Sequence, residues 1–190
     1  MVAQAKHFTV EDFDQVVEQP ENADKLFEYI GGEIIEVPSN AYASKISSLI
    51  LFFIMLFVRE HHIEGHVTGE AGGYMVSGER YAPDVAFISA VKQPVLAKRG
   101  YNPAPPDLAV EVDFPSSDVS RAKLRIKIVN YLAAGTIVWV VNVEAKAIEV
   151  YIPGQPVKIV GIDGTIDGGD VLPGFTLAVK DVFPEQPKES

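Results

Sequence analysis

The stretch Asp107-Leu-Ala-Val-Glu111-Val-Asp113, followed by Phe114-Pro115, decides how the rest of the chain is read. Leu108, Val110 and Val112 alternate with Asp107, Ala109, Glu111 and Asp113, which is the period of a strand with one apolar face. Glu111 and Asp113 therefore project from the same face, about 6.6–6.8 Å apart along the chain. Two carboxylates side by side on a core strand repel each other, and such a pair is tolerated when a positive group sits beside it. On this heptad alone, an edge strand with one wet face explains the pattern equally well.

Downstream, Ser116-Ser-Asp118 has the residue types of a helix cap, and Val119 to Ala134 reads as a helix that stops at Gly135. Leu124, Ile128 and Leu132 form its apolar stripe. Lys123, Lys127 and Tyr131 recur every four residues and share one adjoining side. Ile137-Val-Trp-Val-Val141 then reads as a buried strand, so strand, helix and strand predict a parallel crossover. Upstream, Tyr81–Ser89 reads as a strongly apolar strand with Pro83-Asp84 near its start. Aspartate is depleted in strands and proline cannot donate to a central ladder, so the pair either marks the strand's beginning or carries a function.

The remaining elements are read from turn signals. Thr9 caps a short helix to about Gln19, and Phe27–Ile30 with Glu33–Val37 form a hairpin around Gly31-Gly32. Glu28 lies on the Ile30 side of its strand, where by itself it reads as a solvated hairpin carboxylate. Pro38-Ser-Asn40 interrupts the chain before a helix from about Ala41 to His61. The most apolar run, Ile46–Val58, is short for a membrane span and reads as a buried helix. His61, His62 and His66 suit capping or surface positions near the negative helix end. His66–Val76 and Tyr81–Ser89 are expected as two strands joined at Ser77-Gly78-Glu79. Residues 90–106 form a long Pro- and Gly-rich loop carrying Lys92, Lys98 and Arg99, and loops of this length are often functional. Lys146–Tyr151, Val157–Ile162 and a turn-rich Asp163–Phe175 are expected as smaller antiparallel strands, with a final short turn near Val179–Phe183. The expected architecture is α/β with a mixed sheet, as one domain over 1–190, with a core of about 24–152 and a β-hairpin appendage at 153–184.

Composition narrows the function. The chain has 190 residues, no cysteine and a formal charge of −10. Absence of cysteine excludes disulfides, thiolate zinc sites and a cysteine nucleophile, and fits a reducing, cytoplasmic setting. An acidic chain is a poor general partner for nucleic acid, so only a local basic patch would serve that purpose. No signal segment or membrane span is expected. Asp84 and Glu111 on neighbouring core strands would make a reasonable pair of ligands for a hard cation such as Mg²⁺. With Lys127 laid over them from the crossover helix, the implied chemistry is metal-dependent hydrolysis of a phosphodiester.

The ordered set of motifs resembles the Uma family, within the PD-(D/E)XK nuclease superfamily. The carrying residues are Phe27-Glu28-Tyr-Ile-Gly-Gly-Glu33-Ile-Ile-Glu36, Ala82-Pro83-Asp84-Val-Ala-Phe, Pro106-Asp107-Leu-Ala-Val-Glu111-Val, and Lys127-Ile-Val-Asn-Tyr131-Leu-Ala-Ala-Gly135 leading to Trp139. Gly169-Asp170-Val-Leu-Pro-Gly174-Phe extends the match over nearly the whole chain. The resemblance implies a restriction-endonuclease-like mixed sheet flanked by helices, with extra antiparallel hairpins. It implies Asp84 and Glu111 as the two acids, Glu28 as an upstream acid, and Mg²⁺ or Mn²⁺ as the cofactor, with no organic cofactor. The superfamily's lysine commonly lies two residues after the second acid, where this chain has Asp113. Lys127 takes that role in the resemblance, with Lys123 as the alternative, and Asp113 becomes a candidate third metal ligand. DNA is the implied partner, a homodimer suits cutting of both strands, and Lys92, Lys98, Arg99 and Lys123 are candidate phosphate contacts. A catalytically degenerate nuclease fold acting as a binding or regulatory module is the second reading, and an inert oligomerisation domain a third.

Overall fold

Turn and cap residues set the element boundaries in the computed structural model, which describes residues 7–37, 40–114 and 118–183. The expected Ser116-Ser-Asp118 cap falls on residues 115–117 and the Asp118 side chain, outside the described part. Thr9 caps α1 (Val10–Val17) in a closed capping box: its hydroxyl accepts the Asp12 N–H, and the Asp12 carboxylate accepts the Thr9 N–H. β1 (Phe27–Ile30) and β2 (Glu33–Glu36) pair antiparallel through Gly31 and Gly32. Both glycines have positive φ, 58° and 82°, as a tight type I′ turn requires. α2 (Ala41–Glu60) starts at Asn40, whose side-chain oxygen accepts the N–H groups of Tyr42 and Ala43.

The two strands expected over 66–76 and 81–89 are each divided. β3 (Gly65–Gly69) and β4 (Tyr74–Val76) are separated by Gly72-Gly73, and β5 (Glu79–Tyr81) and β6 (Val85–Ser89) by Ala82-Pro83-Asp84. β4 and β5 form a hairpin in a four-stranded sheet, order β2-β1-β5-β4. β3 and β6 belong instead to a six-stranded sheet. Alternating hydropathy does not signal such a change of sheet, because apolar residues continue through it. Pro83, which has no N–H to donate, sits in the connection.

The six-stranded sheet also takes in β7 (Leu108–Asp113), β8 (Ile137–Asn142), β9 (Ala147–Tyr151) and β10 (Lys158–Gly161), in the order β10-β9-β8-β7-β6-β3. α3 (Asp118–Ala133) connects β7 to β8, and those two strands run parallel; the other neighbours are antiparallel. β7 is therefore an interior strand of a mixed sheet, not an edge. β11 (Thr165–Asp167) and β12 (Thr176–Ala178) make a separate ribbon.

Alternation then sorts the two faces. Leu108, Val110, Trp139 and Val141 pack with Ile46, Ile50 and Ile54 of α2. Ile166, Leu172, Phe175, Leu177, Val179 and Val182 complete this same cluster, and β10 extends the main sheet. Of the 153–184 segment expected as an appendage, the described residues 153–183 contribute to the principal core. On the opposite face, Ala86, Ala109, Val138 and Val140 meet Ile30, Tyr81, Ile128 and Tyr131 from β1, β5 and α3. α2 is more apolar than its central run suggests. It is long and apolar enough, by length and composition alone, to cross a membrane. Three of its isoleucines are nevertheless fully buried against the sheet, while Phe52, Met55 and Leu56 face outward.

Candidate active site

Strand register assembles the acids. Val85 pairs with Val110 and Ala86 with Ala109. One more step of that register sets Asp84 across from Glu111, where opposed Cβ atoms lie about 4.5–5.5 Å apart. On the other flank, Gly69 pairs with Val85, so the next residue, Glu70, stands beside Asp84. The Asp84 carboxyl feels the charges of both Glu28 and Glu70. Asp84 lies just ahead of β6, and its Oδ2 accepts the Val112 N–H at 2.6 Å, which fixes it against β7.

Glu28 arrives from the second sheet. Phe27 and Tyr29 pack with Phe13 on one side of β1, so the alternate residues Glu28 and Ile30 face α3. Lys127 enters from α3 and closes the group. Its Nζ lies 2.8 Å from Glu28 Oε1 and 2.6 Å from Glu111 Oε2, and only 7% of the lysine side chain and 10% of each glutamate's is exposed. The remaining oxygen of Glu111 accepts the Tyr131 hydroxyl at 3.1 Å, one helical turn along. Glu28 Oε1 also accepts the buried Ala82 N–H at 2.8 Å.

A second tier of aromatic and polar groups braces this triad. The Lys127 ammonium stands 5.6 Å from the centroid of the Tyr81 ring, a cation–π contact. The Tyr81 hydroxyl donates to Glu79 Oε2 at 2.7 Å and accepts from Asn130 Nδ2 at 2.6 Å. Glu79 in turn accepts the Gly31 N–H at 2.9 Å, tying the β1–β2 turn to the site.

Burial and crowding set the protonation states. Desolvation, then the charges of Glu28 and Asp84, push the Glu111 carboxyl up to about 8, against the opposing pull of Lys127. Desolvation likewise raises Asp84, offset in part by the Val112 hydrogen bond and by Lys127. Burial alone would strip the proton from Lys127, but Glu111 and Glu28 outweigh it and hold the side chain firmly as ammonium. A lysine so held acts through charge and hydrogen bonding rather than as a base.

Glu28, Asp84, Glu111 and Lys127 are thus brought together, while the other expected positions are not. Asp113 shares the Glu111 face but lies two residues further along, and its electrostatic neighbours are Arg121 and Glu149. As a third ligand beside Asp84 and Glu111 it is misplaced, because the two-residue strand step of about 6.6–6.8 Å carries it past the group. Lys123, the alternative lysine and candidate phosphate contact, reaches Glu33 at 2.9 Å instead. Lys92 is held by Asp107 at 3.3 Å and by the Pro106 carbonyl at 3.5 Å. Lys98 and Arg99 remain on the exposed loop. His61 caps α2 and stacks on Phe57, and His66 bonds to the Pro94 carbonyl. Glu70, Tyr81 and Glu79 carry no signal in the sequence reading, because only register and sheet pairing bring them here. Tyr131 had a signal in its four-residue spacing from Lys127.

Residues 10–180 match the Uma2 family, described as "Putative restriction endonuclease". The chain belongs to the Uma2 family. Among solved structures it is similar to one described as a "putative nuclease belonging to DUF820" from Anabaena variabilis, at 22% identity and a TM-score of 0.76. That similarity covers 93% of this chain and 97% of the other, and it establishes a shared fold. A search of curated proteins gives no match. The Uma2 assignment makes divalent cations the relevant test of the donor set. No three His, Asp or Glu side chains among the described residues converge on one point. Asp84 and Glu111 do supply two hard oxygen donors, and the second Asp84 oxygen makes no hydrogen bond among the described residues. A two-carboxylate set of this kind fits a cation that keeps several of its waters, as Mg²⁺ does.

Proposed function

We propose that this Uma2 protein is a divalent-metal-dependent endonuclease that hydrolyses DNA phosphodiester bonds. The observation that carries the reading is the Lys127 ammonium seated between Glu28 and Glu111 beside Asp84. Family membership supports the nuclease class, and the residues support the chemistry. Asp84 and Glu111 would hold Mg²⁺ or Mn²⁺. When bound, such an ion polarises a phosphoryl oxygen and lowers the pKa of a water ligand. Lys127 supplies a fixed positive charge and, with two of its N–H donors held by Glu28 and Glu111, one remaining donor for the charge that develops on the phosphoryl group. Glu28 orients that ammonium, and Tyr131 orients Glu111. Of the four candidate phosphate contacts, Lys98 and Arg99 remain available to a DNA backbone, since Lys92 and Lys123 are engaged within the chain. Pairing of two copies about a two-fold axis would present two such centres to the two strands.

The test is nicking of supercoiled plasmid with Mn²⁺, which is less demanding of geometry than Mg²⁺. Wild type is compared with Asp84→Asn and Lys127→Met, each checked for folding by circular dichroism. Nicking by wild type that is lost in both folded variants supports the assignment. Nicking that survives Lys127→Met but not Asp84→Asn moves the lysine role to Lys123. Absence of nicking with any divalent ion favours a degenerate nuclease fold serving as a binding or regulatory module. One observation favours that second reading: Glu28, Glu111 and Lys127 are all buried and already satisfy one another, as a structural ion triad would.

A further inference from the structure

The turn after β3 and the loop Leu96–Asn102 face each other across a cleft of about 240 Å³, lined among others by Thr68, Gly72, Gly73, Lys98, Arg99 and Gly100. The cleft is held by Asn102, which is 4% exposed. Its backbone N–H donates to the Gly73 carbonyl and its carbonyl accepts the Met75 N–H, both at 2.8 Å. Its side-chain oxygen accepts the Ala97 N–H, and its Nδ2 donates to the Ala104 carbonyl. Gly73 is required on the opposite wall, because a Cβ there would lie 2.5 Å from the Tyr101 ring.

The groups left over on the Lys98–Gly100 wall include several donors, beside the carbonyls of the same residues. Among the described residues, neither Lys98 nor Arg99 has an ion-pair partner, and the N–H groups of Lys98, Arg99 and Gly100 donate to no protein acceptor. Elsewhere in the loop the corresponding charge is consumed internally, as Lys92 is by Asp107. Two free cations beside three successive free amides, in a chain of net charge −10, make a local site for an oxyanion. Arginine adds the planar fork that matches phosphate oxygens.

Its position ties the cleft to the carboxylates. β3 ends at Gly69, opposite Val85, and Glu70 stands beside Asp84. The cleft is lined by Thr68 and Ala71, which flank Gly69 and Glu70. We infer that the cleft between Gly72-Gly73 and Lys98–Gly100 binds a phosphate of the DNA backbone adjacent to the one to be cleaved. This subsite rests on the nuclease reading.

The test uses the full chain carrying Asp84→Asn, without divalent ions, so that binding is read apart from cleavage. A fluorescein-labelled duplex is titrated by anisotropy across a range of KCl, with Lys98→Ala/Arg99→Ala and with Lys146→Ala as an exposed control. The expected result is at least tenfold weaker binding by the double variant, with the slope of log K against log salt reduced by about 0.9 for one lost phosphate contact. The control should match its parent. In parallel, amide shifts of Lys98, Arg99 and Gly100 are followed by NMR during titration with duplex or with inorganic phosphate. Shifts with duplex support a backbone phosphate. If the parent binds duplex and the double variant binds equally well, the cleft is overturned and the nuclease reading stands. If these amides respond to inorganic phosphate while no duplex binding occurs, the DNA subsite is overturned together with the nuclease reading, leaving a site for free phosphate.

Discussion

Replacing Lys127 with methionine keeps most of the side-chain volume and removes one charge from between two buried carboxylates. In the wild type that charge sits 2.6 and 2.8 Å from its partners, with all three side chains at least nine-tenths buried. Breaking a buried pair by deleting one partner costs about 3–5 kcal/mol, because the charge left behind is uncompensated. At high pH, where Glu111 is ionised, two carboxylates are left, which places the expectation there at the upper end. At about 2–4 °C per kcal/mol for a domain of this size, the midpoint falls by roughly 6–20 °C. The loss must depend on pH. Glu111 already sits near 8 with Lys127 opposing the rise, and without the lysine it moves higher. At low pH the variant can place a proton on Glu111 and escape most of the penalty. Urea unfolding at about pH 5 and about pH 9.5 reads this, with the larger defect expected at the higher pH, because the two proteins differ in Glu111 protonation only above about 8. Adding Glu111→Gln to Lys127→Met should recover stability, with a coupling energy of about 0.5–3 kcal/mol. A defect of equal size at both pH values would refute the electrostatic account and point to lost packing. Wild-type stability at both would show that the triad is not buried as described.

Three further expectations concern the same residues. Burial raises Glu111 from 4.5 to about 8, so the folded protein holds more protons than the unfolded chain between those values. The stability this group contributes is full below 4.5 and is lost as pH rises through about 8, and Glu111→Gln should flatten that part of the profile; an unaltered slope would assign it to another group. Mn²⁺ should raise the wild-type melting midpoint by mass action and leave that of Asp84→Asn unmoved; an equal shift in both would place the ion elsewhere. Tyr131→Phe removes a hydroxyl bonded to a buried carboxylate and should cost about 1.5–3 kcal/mol in urea unfolding, with a loss below about 0.5 kcal/mol meaning that the bond contributes little.

Much of the fold was legible because it depends on local periodicity. The alternation over 107–113, the four-residue spacing of Lys123, Lys127 and Tyr131, and the Gly31-Gly32 turn each specify an element from neighbours in the chain. The failures share another cause. β3 and β4, like β5 and β6, read as continuous strands because apolar residues persist through the change of sheet. The C-terminal segment read as an appendage because turns dominate it, and only packing shows Phe175, Leu177 and Val182 filling the space under α2. Asp113 looked equivalent to Glu111 because alternation gives a face and no depth along it.

The sequence by itself determined the mixed α/β class and the faces of the strands and helices, and it marked Asp84, Glu111 and Lys127, with Glu28 through the family resemblance, as candidates. Those follow from side-chain period and from motif order, which are properties of the chain alone. Only the tertiary structure decided which charges meet. Register puts Asp84 opposite Glu111 and Glu70 beside it, and sheet-to-helix packing carries Glu28 to Lys127 across 99 residues of sequence. The same packing removes water from the triad, and that exclusion keeps Lys127 an ammonium while raising Glu111. A shift of this kind comes from dielectric and distance, which no local stretch of sequence records.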